Sequence, residues 1–123
     1  MSHRIEKINK LIQKEISQIL LEEIDFEGDL VTVTEVRSSP NLTSGKVLIT
    51  VIPKNYPTNK FLDDSKIKSI EKEVLNKIQG NIYDIQKQIN KKLKIRPVPK
   101  IYFEIDEGIK NLYKIDQLTS KRE

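Results

Sequence analysis

Six basic side chains and no acidic one fall between residues 85 and 103: Lys87, Lys91, Lys92, Lys94, Arg96 and Lys100. Lysines three or four apart on one helix face can each neutralise a phosphate without reading a base. Such a row suits a polyanion, and nucleic acid is the commonest one. On a helical wheel Lys87, Lys91 and Lys94 lie opposite the stripe of Ile82, Ile85, Ile89 and Leu93. Arg96 and Lys100 carry the charge on toward a strand. Lys92 flanks the apolar side, where its stem can snorkel. A second set, Arg4, Lys7 and Lys10 with Lys14, sits on a first helix whose placement the sequence does not give. A solvated lysine face is the plainer account of both sets.

Catalytic chemistry finds little to work with. His3 is the only histidine and stands at a terminus. Asp63 and Asp64 read as the acidic start of a helix, which the macrodipole favours. As a divalent-ion site they have no third ligand. There is no cysteine, hence no disulfide, thiolate metal site or thiol nucleophile. No nucleophile–base–orienter set, zinc spacing or phosphate-cradling glycine loop is present. A non-enzymatic protein without metal or cofactor is expected.

The 123 residues make one domain, long enough to fold without staples. Its net charge of +4 is unevenly spread. Residues 1–60 carry eight basic and eight acidic side chains, residues 61–103 ten and five, and residues 104–123 four and five. The first helix is broken by Gln13, Lys14, Glu15, Glu22 and Glu23, so it is neither a signal peptide nor a membrane span. A cytoplasmic, membrane-free monomer is expected.

The periodicities place the candidates on elements. Ile5, Ile8, Ile12, Ile16, Ile19 and Leu20 share a helical face over residues 4–24. Residues 30–36 and 46–52 are β-branched strands joined by the Ser38-Ser39-Pro40-Asn41 turn, an antiparallel hairpin. Pro53, Asn55, Pro57 and Asn59 mark a loop. Apolar residues from Ile67 to Leu93 then repeat at three and four. A rod of residues 64–93 would span about 45 Å, more than the roughly 35 Å diameter of such a domain. It must bend, and Gly80 is the residue that invites it. Asn81 can cap the second helix, and a β-branched residue at Gly80 is expected to strain the break. A close approach of an RNA backbone is a second use of that glycine. Pro97 and Pro99 stop the helix before the strand at residues 100–105. A short helix is expected around residues 109–118, in an extension beyond residue 106, with a loose end. The order α-β-β-α-(Gly)-α-β implies a three-stranded mixed sheet, helices on one face, and a right-handed crossover between the last two strands.

The details resemble one family, ribosome-binding factor A, bacterial maturation factors of the small ribosomal subunit. The isoleucine-spaced helix over residues 4–20 is similar to the family's opening helix. Val31-Thr32-Val33-Thr34-Glu35-Val36 with Ser39-Pro40-Asn41-Leu42 resembles its first strand and turn, and Lys46-Val47-Leu48-Ile49-Thr50-Val51 its second strand. Gly80 with Ile82, then Leu93-Lys94-Ile95-Arg96-Pro97-Val98-Pro99-Lys100-Ile101-Tyr102-Phe103, resembles its helix break and last strand. Asp106 and residues 115–118 resemble its closing pattern. The family's Ala-x-Gly kink stands here as Ile78-Gln79-Gly80, its arginine after the kink as Tyr83, and its turn aspartate as Asn41.

The resemblance implies an α+β, type-II K-homology-like fold in which a kinked helix pair replaces the Gly-x-x-Gly loop. It also implies a non-catalytic factor that binds the small subunit and its RNA and assists late maturation and processing, with a role in cold adaptation. Lys87, Lys91, Lys94, Arg96, Lys100, Gly80, Asn81, Arg4, Lys7 and Lys10 are then the expected RNA-contacting residues. Two alternatives stay open: a general single-stranded nucleic-acid module, and a protein-interaction domain whose basic face meets an acidic partner.

Overall fold

The isoleucine period that opens the chain winds into α1 (Ser2–Glu23). Ile8, Ile12, Ile16, Ile19 and Leu20 are buried along it, while Lys7, Lys10 and Lys14 are exposed. Just past the helix end, Glu27 and Gly28 take φ values of 56° and 96°. Glycine adopts that region without a Cβ penalty, and a Cβ at Gly28 would stand 3.3 Å from the Lys54 side chain. The computed structural model describes residues 2–54 and 64–108.

β1 (Leu30–Ser38) and β2 (Ser44–Ile52) form the expected antiparallel hairpin, each running two residues further into the turn. The turn itself extends the ladder. The Ser39 hydroxyl accepts the amides of Thr43 (3.0 Å) and Ser44 (3.1 Å), and the Ser39 amide donates to the Ser44 carbonyl (2.9 Å). Pairing therefore continues to Ser38 opposite Gly45. A bulge between Val33 and Glu35 sets the Thr34 hydroxyl 2.6 Å from the Asp106 carboxylate.

The long apolar period divides into α2 (Asp64–Gly80) and α3 (Ile82–Lys92), and β3 (Lys100–Ile105) follows, parallel to β2. Strand order is β1-β2-β3. This is the mixed α+β arrangement of a type-II K-homology-like domain. Val36, Val47 and Phe103 share one row of the register, Val33, Ile49 and Ile105 another. They pack into a single apolar cluster with Ile12, Ile16, Val74, Ile78, Ile85, Ile89 and Leu93 from the three helices. Burial of each such side chain stabilises the fold by about 1.5–3 kcal/mol. The short helix expected over residues 109–118, and Asn55, Pro57 and Asn59 of the expected loop, lie outside the described residues.

The break between α2 and α3 is where the sequence places it, but its physical cause differs. Gly80 has no left-handed φ, and a Cβ there would meet nothing within 4 Å. The strain expected from a β-branched residue at Gly80 therefore has no source in the neighbouring elements, only in its own helix turn. Asn81 does not cap α3 with its side chain. Its Nδ2 instead donates to the Lys77 carbonyl (2.8 Å), satisfying one of the orphan acceptors at the end of α2. The Asn81 carbonyl accepts from the Ile85 amide (3.0 Å), the first turn of α3. One asparagine thus closes one helix and opens the next.

Candidate nucleic-acid interface

α3 turns Ile85 and Ile89 inward, 1% and 0% exposed, and by its 3.6-residue period this sends Lys87 and Lys91 outward. Both are exposed, and neither pairs with a carboxylate among the described residues. Tyr83, 79% exposed, heads the same row at four-residue spacing. Lys94 is exposed too, but it does not continue the helical face. α3 ends at Lys92, because Leu93 takes ψ 131° and leads the chain out extended. Lys94 belongs to the linker toward Pro97 and Pro99.

The other candidates take distinct places. The Arg96 guanidinium folds back on the linker and donates to the carbonyls of Ile95 (2.6 Å) and Leu93 (3.2 Å). Lys100 opens β3, its amide bonded to the Thr43 carbonyl (3.1 Å) and its Nζ 5.7 Å from the Tyr102 ring centroid. Gly80 is exposed with open space above it. Asn81 is half-buried and committed to α2. Lys92, next to Lys91 in sequence, is tied to Glu15 of α1 at 3.5 Å, so it serves the α1–α3 contact. That ion pair also locates the first helix. Arg4 lies about 20° around α1 from Glu15 and stands toward α3; Lys7, about 80° away on the side opposite the buried isoleucines, faces solvent, and Lys10 is about 140° away.

Gln86 escaped the sequence reading. Its Nε2 donates to the Pro99 carbonyl (3.0 Å), and its Oε1 accepts the Ile101 amide (2.9 Å). Both ends of one amide thus fix α3 to the start of β3. No local pattern marks it, since its partners lie beyond the two prolines.

On the sheet face away from the helices, which also carries Lys100, two cations are paired. Arg37 donates to Glu35 (3.0 Å), and that hydrogen bond and charge raise the guanidinium pKa further. Lys46 stands 3.5 Å from Glu104. The basic row is different: among the described residues Lys87 and Lys91 stand without carboxylate partners, on a helix edge beside a break with room for a backbone to approach. Phosphates meet such a surface through separate point charges. Among the described residues no group of three potential metal ligands comes together, and no helix is long and apolar enough to cross a membrane.

Comparison with known proteins agrees over nearly the whole chain. A protein from Pseudomonas paraeruginosa named ribosome-binding factor A is 32% identical over 108 residues, covering 87% of this chain and 76% of that protein. One of the same name from Chlorobaculum tepidum is 30% identical over 120 residues, covering 96% and 89%. The crystal structure of ribosome-binding factor A from Thermus thermophilus superposes with a TM-score of 0.56 at 14% identity, over 80% of this chain and 91% of that one; at that identity the likeness speaks for the fold. The family model described as ribosome-binding factor A matches residues 4–119. With the fold, the helix break and the proline-bounded last strand all in place, the chain belongs to the ribosome-binding factor A family.

Proposed function

We propose that this protein is a ribosome assembly factor that binds the RNA of the small subunit and assists its late maturation and processing, without catalysing a reaction. Family membership supports the ribosomal setting. The observation that carries the RNA contact is the row of Lys87 and Lys91, unpaired on the outer face of α3, with Lys94, Arg96 and Lys100 following it toward β3. Arg4, about 20° around α1 from Glu15, extends the surface; Lys7 and Lys10 are exposed farther around the same helix and would be its outer contacts.

The mechanism is differential binding. A rigid α+β body held by phosphate contacts favours one arrangement of the RNA over another by its preference for that arrangement. Gly80 allows a sugar–phosphate backbone to come close to the helix break. The protein acts as a monomer in the cytoplasm and needs no cofactor.

Sedimentation with small subunits, large subunits and assembled ribosomes across a salt series tests the reading. Selective pelleting with small subunits is expected. If about five phosphates are engaged, affinity falls with salt at a log–log slope of about −3.5 to −4.5. Equal binding to all three particles, or binding indifferent to salt, overturns it.

A further inference from the structure

The corner between the end of α1 and the start of β1 plays no part in the RNA reading. It holds an open groove of about 370 Å³ walled by Leu20, Leu21, Ile24, Phe26, Leu30 and Val31. Leu21 and Leu30 are the most exposed leucines among the described residues, at 83% and 57%. The chain around the groove is acidic. Residues 15–36 contain seven acidic side chains and no basic one, and two of them, Asp25 and Asp29, line the groove itself.

Part of that charge is compensated from within. Lys77 reaches Glu27 (3.8 Å) and the Asp25 carbonyl (3.2 Å), and the Lys54 amide donates to Asp29 (3.1 Å). Glu22 and Glu23 have no cationic partner among the described residues. They also stand where the helix disfavours them. The C-terminal turn of α1 carries no basic residue, and two glutamates there face the negative end of the macrodipole. The Gln18 amide donates to Glu22 from one turn back (3.0 Å), so local helix stability accounts for Glu22 in part and, among the described residues, leaves Glu23 without such support.

We propose that this corner is a docking site for a basic protein segment that carries a large aliphatic side chain. The aliphatic group enters the groove between Leu21 and Leu30, and flanking lysines or arginines meet Asp25 and Asp29 of its lining. RNA is a poor occupant, because its phosphates would meet this rim with like charge. Among the described residues outside the groove, a second copy of this chain could offer only Leu11 of α1, beside Lys7, Lys10 and Lys14, and at 40% exposure it stands out less than a free segment's side chain would. The site stays accessible while the basic row is engaged. Glu15, on one flank of α1, holds Lys92 of α3, whereas Gln13 reaches the Val33 carbonyl of β1 (3.1 Å) from a position about 200° around the helix. The groove lies on the Gln13 side.

The test is an NMR titration of the full chain with a short peptide of lysines and leucines, alongside counterparts with serine for leucine and glutamate for lysine. Saturable amide shifts confined to residues 17–33 are expected with the first peptide alone. Leu21→Ser/Leu30→Ser and Asp25→Lys should each weaken binding about tenfold. The second variant changes an exposed side chain just past the end of α1, where the macrodipole favours a cation, so its loss of binding is not unfolding. Equal binding by the variants overturns the proposal, as do shifts centred on another surface or no saturable shifts. Concentration-dependent self-association through the same residues without peptide also overturns it, in favour of a second copy.

Discussion

The basic row of α3 and the acidic corner of α1 are both charged helix edges, yet they stand in opposite relation to their own helices. α3 has Asp84 in its first turn and Lys91 and Lys92 in its last, the arrangement the macrodipole favours. α1 has no acidic residue in its first turn and no basic one in its last, which holds Glu22 and Glu23. Charge that agrees with local physics has a structural use whatever else it does. Charge that opposes it persists for some other reason. The lysines of α3 therefore need support from family and pairing, while the glutamates of α1 point beyond the helix on their own.

The largest effect that can break this comparison is on subunit binding. Lys87→Glu/Lys91→Glu/Lys94→Glu should weaken sedimentation with small subunits by about a hundredfold or more while leaving the fold intact by circular dichroism. Lys92→Ala, whose partner is Glu15, should change it by less than about twofold. Binding unchanged in the folded triple variant removes α3 from the interface. Next in size, Gln86→Ala deletes two hydrogen bonds at the start of β3 and should lower stability by about 1–3 kcal/mol in urea unfolding. A neutral result would mean that α3 is held by its apolar face alone.

Gly80→Ala should raise stability by about 0.5–1 kcal/mol, since the new methyl meets open space and alanine is the better helix residue. If an RNA backbone approaches there, subunit binding falls in the same variant, separating contact from stability. Smallest are the two charge reversals. Glu22→Lys/Glu23→Lys should raise the Tm and Lys91→Glu lower it, each residue contributing about 0.3–1 kcal/mol. Shifts of the same sign would undo the contrast between the helices.

The element order was legible because isoleucine spacing, β-branched runs and prolines are local signals, and each element buries the face its period presents. The break at residue 80 was legible from length alone, as one rod would overrun the domain. Its chemistry was not. Whether Asn81 serves the helix before or after it depends on which backbone groups are left unsatisfied, and only the folded chain decides that. Lys91 and Lys92 are indistinguishable in sequence, yet one is exposed and unpaired while the other bonds a glutamate 77 positions away. Lys94 sat on the helical wheel until the extended Leu93 took it off. The acidic corner is visible as a run of residues without a basic one, but nothing local shows that the run surrounds a groove.

The two glutamines that reach the sheet have a consequence for how this protein behaves at high concentration. β1 and β3 are the outermost strands, and an outermost strand is a template on which another chain can add and propagate. Gln13 occupies an acceptor on β1, and Gln86 occupies a donor and an acceptor at the start of β3. Each works as a chain terminator, spending a side-chain amide where an intruding strand would put its own backbone. Among the described residues, one acceptor on β1 and a donor–acceptor pair on β3 are thereby withdrawn from any strand that would add there.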